Sequence, residues 1–395
     1  MMQAHFKQIN SPKAIIDYSN QPKKLIHQFK EIIYMDSNHN IFLNNQQIKG
    51  DALDVWQECL DRWKEDTPNN EIAAIGFFAY NFKSVLYPDY PFKKNKDHKT
   101  PLFWFAKPEA VTIKENYKPY YSTQTLRLKK DFMNQKMFTE VINKIKDYLY
   151  NGDVYQINYT QELEFYLNGN PIDLYFQIQE TAHAKYGFYI NTGQQKFLSF
   201  SPEKFFKTKD NTIKTYPIKG TIKKTHKKET DRIQRLKLSN SEKDKAEHLM
   251  IVDLLRNDIG KVCNFGSVKV NDLFAVKTFP TIHHMESEIQ GELQQQIQEK
   301  DIIKAVFPGG SITGAPKYRS MQIIDELEDY NRGIYTGCIG SIKKNGDMDF
   351  NICIRTMTIK DNIATYPIGG GIVWDSLPLL EYNEAKEKAN IIVSY

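Results

Sequence analysis

Two periods of apolar and polar residues run along the chain, and the place where one yields to the other divides it. Before about residue 125, short alternating runs dominate. Ala14 to Tyr18, Glu31 to Met35, Ile72 to Tyr80 and Pro101 to Phe105 predict strands between polar turns. Ala52 to Lys64 repeats every three or four residues instead and predicts a helix. This part shows no chemistry of its own, so 1–125 is expected to be an N-terminal lobe that completes a sheet, and 126–395 the functional domain.

From Asp131 the longer period takes over. Phe132 to Asp153 predicts an amphipathic helix stopped at Asn151-Gly152. The strand after it sets Gln156, Asn158 and Thr160 against Tyr155, Ile157 and Tyr159, and the pattern alone turns its polar side to solvent. Leu198 to Thr208 reads as one strand carrying Glu203. Thr212 to Thr221 follows and ends in Pro-Ile-Lys-Gly-Thr, which puts Glu203 and Lys219 on neighbouring strands of one hairpin. Ser241 to Gly260 predicts a helix with Ser241 as N-cap and Leu249, Met250, Val252, Leu254 and Leu255 buried. More strands carry His284. Phe307 to Glu328 reads as a glycine-rich loop opening a helix that runs to Arg332-Gly333. Three strands then precede a final helix, Leu379 to Ser394.

Composition narrows the classes. At 395 residues and 41% hydrophobic content the chain can bury a large core, yet no apolar run reaches membrane length. The net charge of +5 is spread over short patches such as Lys93 to Lys99 and Lys223 to Lys228, with no nucleic-acid motif, so neither nucleic acid nor membrane is expected as a partner. Cys59, Cys263, Cys338 and Cys353 form no CxxC pair and read as reduced thiols of a cytoplasmic protein; the first residues show no leader.

Candidate chemistry begins with carboxylates. Asp244 and Glu247 are three apart on a helix, as are Glu381 and Glu384. One such pair can simply decorate a helix terminus, whereas two facing pairs suit a hydrated Mg²⁺. Gly309 to Lys317 lacks the Gly-Lys-Ser/Thr ending of a Walker loop, which disfavours ATP.

Six separated motifs, in chain order, are PIKGT, DKAEHLMIVDLLRND, FPGGSITGAPK, GCIGSI, ICIRT and GGGIV followed by EYNEAKEKA. They resemble the chorismate-utilising enzymes over about residues 130–395. That family includes anthranilate, aminodeoxychorismate, isochorismate and salicylate synthases. The resemblance implies the chorismate-binding fold, an α+β unit of two packed β-sheets with helices outside and a site in a cleft. It is nearest the aminodeoxychorismate synthase component I branch, because Lys219 stands where anthranilate synthases typically carry alanine. Gln156 stands where the water-adding members carry a lysine.

The resemblance also implies roles. Glu247 and Glu384 would bind Mg²⁺, with Asp244 and Glu381 supporting through water. The backbone of Gly220, Thr221 and Gly371 would help hold the ring carboxylate of chorismate. Tyr335 and Arg355 would clamp its other carboxylate and Lys388 add charge; the pattern alone favours reading Arg355 as a strand arginine in a salt bridge. His284 would lie near the ring, although sheet histidines often serve the core. Glu203 would be the acid and Lys219 the nucleophile, its amine kept neutral by burial and by cations such as Lys223. Ammonia would come from a separate glutamine amidotransferase subunit, since no cysteine here has a nucleophile setting, and no fused lyase is expected after Tyr395. The rivals are an anthranilate synthase component I and a non-catalytic chorismate or tryptophan sensor.

Overall fold

The computed structural model describes residues 11–93, 100–115, 117, 121–225, 227–279 and 282–393. The reading of the first ten residues lies outside them, as do 94–99 of the first lysine patch, 226 of the second and the predicted last helical residue, 394.

Among the described residues, ten strands form one sheet. Its order is β18 (Gly314–Ala315), β10 (Gln156–Asn168), β22 (Ile363–Ile372), β21 (Thr356–Lys360), β12 (Lys196–Ser201), β11 (Tyr186–Asn191), β1 (Ala14–Tyr18), β2 (Lys23–Ile26) and β8 (Thr112–Lys114), with β9 (Thr125–Lys130) also on β10. Twelve form the other: β15 (Ile218–Lys223), β17 (Ile282–Glu292), β14 (Thr212–Thr215), β13 (Lys204–Lys209), β20 (Met348–Ile352), β19 (Cys338–Lys343), β6 (Ile72–Phe78), β7 (Phe103–Pro108), β3 (Phe29–Met35), β4 (Ile41–Leu43) and β5 (Gln46–Ile48), with β16 (Lys269–Thr278) on β17. The pairings are antiparallel.

The sheets meet through large apolar side chains. Ile16, Ile190 and Phe197 of the first interleave with Ile75, Phe77 and Trp104 of the second, and the Phe77 and Phe197 rings lie 4.8 Å apart. Helices Ala52–Glu65, Glu242–Gly260 and Glu299–Val306 cover the outside of the second sheet. Helices Pro171–Ala182 and Pro378–Val393 cover the first. This is the expected α+β arrangement of two packed sheets with helices outside. All four cysteines are free and buried, and no helix among the described residues is long and apolar enough to cross a membrane.

Several expectations are corrected. Leu198 to Thr208 is not one strand: it breaks at Pro202-Glu203 and passes from the first sheet (β12) to the second (β13). The C-terminal run likewise holds four strands, because its middle stretch passes back at Cys353 to Arg355, between β20 and β21. The two breaks face each other. Phe200 N–H donates to the Arg355 carbonyl (3.0 Å) and Ile352 N–H to that of Glu203 (3.2 Å), so the ladder continues through the bend. Proline and the left-handed Arg355 (φ 50°) supply the turns that regular strand geometry forbids. The polar side of β10 does not face solvent: Gln156, Asn158 and Thr160 are all buried. On Glu242–Gly260 the helix exposes Leu249 (45%) and buries His248 and Asp258 instead.

The glycine-rich stretch opens a helix that ends at Leu327 rather than near Arg332. Its C-cap residue, Glu328, turns to the extended region, and its carboxylate takes a two-bond fork from buried Arg332 at 2.8 and 2.6 Å. Arg332 also donates to the carbonyls of Ile312 and Asn158 and to Thr336, tying the loop to β10. Lys317, the lysine of the supposed phosphate loop, is bonded to Asp258 (2.5 Å) and the Val306 carbonyl (3.1 Å). Replacing Arg332 with Ala leaves the buried Glu328 carboxylate without its countercharge. Denaturant unfolding is expected to show a loss of about 3–5 kcal/mol; a loss under about 1 kcal/mol, typical of surface pairs, would mean the fork contributes little.

Candidate functional site

Glu203 sits at the bend between the sheets, and Lys219 lies on β15 at the far edge of the second sheet, with β14 and β17 between β15 and β13. They are therefore not on neighbouring strands, but their side chains still interact. Glu203 is buried and accepts a hydrogen bond from Ser311 at 3.0 Å. Burial pushes its carboxyl up to about 7 against the pull of Ser311 and Lys219, and Glu286 adds to the rise. Lys219 keeps part of its surface open, yet protein crowds its ammonium. This desolvation holds it below its ordinary value; Glu247, Glu203 and Glu384 oppose the shift and Lys388 reinforces it. The expected cation Lys223 is not among the groups that set it.

β15 reaches this place through a bulge. Gly220 adopts φ +64°, shifting the register against β17 between Lys219 and Thr221, and a Cβ there would lie 2.9 Å from Asp244 Cγ. Thr221 is opposite His284. Lys219 Nζ donates to Gln156 Oε1 at 3.3 Å, and a side chain at Gly371 would begin 3.2 Å from that nitrogen.

The acids lie just beyond. Glu247 and Glu381, on different helices, each have carboxyls raised above the ordinary value, first by burial. Asp244 and Glu381 add like-charge repulsion to Glu247, and Glu384 adds it to Glu381. Burial also works to raise Glu384, but Lys388, 2.7 Å away, outweighs it and holds the group low. Lys388 also donates to the Gly369 carbonyl at 2.8 Å, and a Cβ at Gly370 would be 3.4 Å from Lys388 Nζ and 3.8 Å from both Glu381 and Glu384. The glycines of β22 thus form a thin wall, with Lys219 and Gln156 on one side and the helix charges on the other. Among the described residues no three His, Cys, Asp or Glu converge into a closed metal cage.

Arg355 has no carboxylate partner among the described residues, so it is not the strand arginine of a salt bridge. Tyr335 is buried, and burial raises its phenol far above the ordinary value. His284 packs on Phe279 with ring centres 4.3 Å apart, and its Nε2 lies 3.7 Å from Glu286 Oε2. That is too long for a hydrogen bond, and both atoms lack one. Cavities elsewhere, such as that lined by Asp17, Lys23 and Glu180, contain none of the candidate residues. Charge and burial mark the site better than volume does.

A family model described as chorismate binding enzyme matches residues 12–394. The chain belongs to this family. An aminodeoxychorismate synthase component 1 of Escherichia coli is 36% identical over 374 residues, 87% of this chain and 82% of that protein. An anthranilate synthase component 1 of Saccharolobus solfataricus is 37% identical over 256 residues, 65% of this chain and 61% of that protein. The crystal structure of anthranilate synthase component I from Streptococcus pneumoniae superposes with a TM-score of 0.82 at 27% identity, covering 95% of this chain and 93% of that one.

For this chorismate-binding chain the structure gathers Glu203, Lys219, Gly220, Asp244, Glu247, Gly371, Glu381, Glu384 and Lys388 into one mutually interacting group. Thr221 and His284 adjoin it on β15 and β17. Arg355 follows the bend that holds Glu203, while Tyr335 interacts with Arg332 and Tyr366. Sequence reasoning assigned no role to Ser311, Glu286 or Arg332. The serine in Gly-Gly-Ser and the i, i+4 pair Glu328/Arg332 were visible signals; Glu286 had none.

Glu203 also links stability to pH. Its folded carboxyl titrates near 7 and its unfolded one near 4.5, so between those values the folded state binds more protons and loses stability as pH rises. Glu203→Gln removes this linkage while keeping an acceptor for Ser311. Relative to the parent it is expected to gain roughly 3 kcal/mol above pH 7 and nothing below pH 4.5. A pH-independent difference in urea titrations would rule out the raised carboxyl.

Proposed function

We propose that the chain is component 1 of an aminodeoxychorismate synthase, aminating chorismate to 4-amino-4-deoxychorismate for 4-aminobenzoate and folate synthesis. The observation that carries the reading is the pairing of a crowded lysine held below its ordinary value with a buried carboxyl held near 7. One favours a neutral amine and the other a proton ready to give, which are the forms that nucleophilic displacement with acid assistance needs.

In this reading Lys219 Nζ forms a bond to ring carbon 2 and the double bonds shift. The carbon 4–oxygen bond breaks, and the hydroxyl leaves as water with the proton of Glu203. Ammonia then attacks carbon 4, the double bonds shift back, and Lys219 departs as the amine. The Glu203 carboxylate recovers a proton from the new carbon 4 ammonium. Arg355, without a carboxylate partner among the described residues, and Tyr335 would receive a carboxylate of the dianionic substrate, with Gly220, Thr221, Gly371, His284 and Lys388 shaping the rest of the pocket.

The carboxylate set fits Mg²⁺. Glu247 and Glu381 are raised by burial and by like charges, so a cation would relieve both. Glu247 and Glu384 would hold it, with Asp244 and Glu381 behind. When bound, it would neutralise a substrate carboxylate. The name component 1 borne by the relatives supports a separate amidotransferase subunit as the source of ammonia, and a cytoplasmic setting accords with the free thiols.

Purified protein given chorismate, Mg²⁺ and ammonium at alkaline pH is expected to form 4-aminobenzoate only after aminodeoxychorismate lyase is added. Lys219→Ala should reduce the rate by about 10²-fold or more. Anthranilate fluorescence without lyase would favour the anthranilate synthase reading, to which similar relatives also belong. Binding of chorismate with no turnover, even with an amidotransferase subunit present, would favour a sensor. Separately, Mg²⁺ is expected to raise the melting temperature of the substrate-free protein, with the rise lost in Glu247→Gln and Glu384→Gln. An equal rise in both variants would place the ion elsewhere.

A further inference from the structure

Gln156 has no assigned role, yet it is the residue in contact with the Lys219 amine. It is fully buried at the start of β10, and its backbone is fixed on several sides. It pairs with Ala315, its carbonyl receives Ser320 Oγ at 3.3 Å, and Gly314 packs so close that a Cβ there would lie 2.1 Å from that carbonyl. A side chain held by such a backbone has little freedom to aim elsewhere. Its Oε1 accepts from Lys219 Nζ at 3.3 Å. Its Nε2 is buried and has no hydrogen-bond partner, although an unpaired buried amide donor costs about 1–3 kcal/mol. Gly371 leaves the space beside it open: a Cβ there would stand 3.0 Å from Gln156 Nε2 and 3.2 Å from Lys219 Nζ.

We propose that Gln156 is a positioning residue for Lys219: its Oε1 takes one amine hydrogen and turns the nitrogen lone pair toward the substrate, while its Nε2–H stays free in the gap beside Gly371. This rests on Lys219 being the nucleophile, as proposed above. The amide suits the task because it is uncharged. A carboxylate at 156 would favour the ammonium, which has no lone pair to offer, and a second amine would supply no fixed acceptor. A misdirected amine loses near-attack geometry without losing substrate affinity, so the effect belongs in the rate rather than in binding.

The test compares the whole protein with Gln156→Met, Lys219→Ala and the double variant, supplied with chorismate, Mg²⁺ and ammonium. It records kcat, KM, melting temperature and, by intact mass after acid quench without ammonia, any adduct of chorismate minus water. Gln156→Met is expected to melt near the parent, to lose about 30-fold or more in kcat with KM within about threefold, and to form adduct correspondingly slowly. The double variant should be no slower than Lys219→Ala. If the Met variant unfolds, Gln156→Asn keeps an amide but shortens the reach and is expected to lose about tenfold in kcat. Normal kcat and adduct in Gln156→Met beside an inactive Lys219→Ala would overturn the positioning role alone. Full turnover by Lys219→Ala would overturn the nucleophile reading and this inference with it.

Discussion

The structure depends on a pair of hydrogen-bonded strands that change sheets together. β12 and β13 run in one direction through Pro202-Glu203, β20 and β21 in the other through Cys353 to Arg355, and the backbone bonds between Phe200 and Arg355 and between Ile352 and Glu203 hold the two bends in register. Ser201 clamps the first bend, its hydroxyl donating to the Glu203 carbonyl (3.1 Å) and accepting from the Glu203 amide (3.2 Å). Backbone polar groups buried between two sheets need partners, and at a bend a strand loses its regular ones. Crossing as a pair solves this for both strands at once. It also joins the sheets into one body and fixes Glu203 and Arg355 on the backbone least free to move.

A site built on that bend must carry charge where water is scarce, and the charges lie in counterpoised layers. Lys219 feels Glu203, Glu247 and Glu384; Glu384 is held by Lys388; Glu247 and Glu381 remain short of positive charge. The glycines 369–371 let these layers approach without side chains between them. The imbalance sits on the acids facing one another from two helices, which is where a cation or a cationic group lowers the energy most. Arg355 has the opposite deficit. A ligand bearing anionic groups, bridged by a cation, would complement both.

The motifs, the helices at Ala52, Gln135, Glu242 and Pro378, and most strands were legible because apolar period and caps act locally. Ser241 caps Asp244 as the sequence suggests, and Asn134 caps Met137 in the same way. The sheet crossings were not legible, because a strand that turns from one sheet to the other keeps its alternating pattern and differs only in partners. The burial of Gln156, Asn158 and Thr160 escaped for a related reason: period-two polarity is the same whether the polar side meets solvent or another layer. The helix at Lys317 was overextended because Glu328 and Arg332 have helical spacing, while in the fold their fork replaces the helix turn. Glu203 and Lys219 meet across the order β15, β17, β14, β13 rather than within one hairpin, and that order rests on pairings distant in sequence, to which a hairpin argument is blind.

Strand β10 shows how one element serves both stability and chemistry. Thr160 donates to the Glu328 carboxylate through N–H (2.9 Å) and hydroxyl (2.7 Å), and the Asn158 carbonyl accepts from Arg332 (2.6 Å), so its middle is fully engaged. Two residues earlier the pattern stops, and Gln156 keeps an unpaired donor. The same contrast holds on β17, where Ser287 meets His248 Nε2 at 2.7 Å while His284 Nε2 and Glu286 Oε2, three residues and one residue before Ser287, are left without hydrogen bonds. A fold that satisfies buried polar groups on these strands could satisfy these too with little rearrangement. Leaving them open destabilises the free protein, and a polar ligand in the cleft is what would restore the balance. Trp63 Nε1 and Gln179 Oε1, far from the candidate residues, also lack partners, so it is the coincidence of unsatisfied groups on β10 and β17 with the charged cluster, and not their number, that points to the cleft.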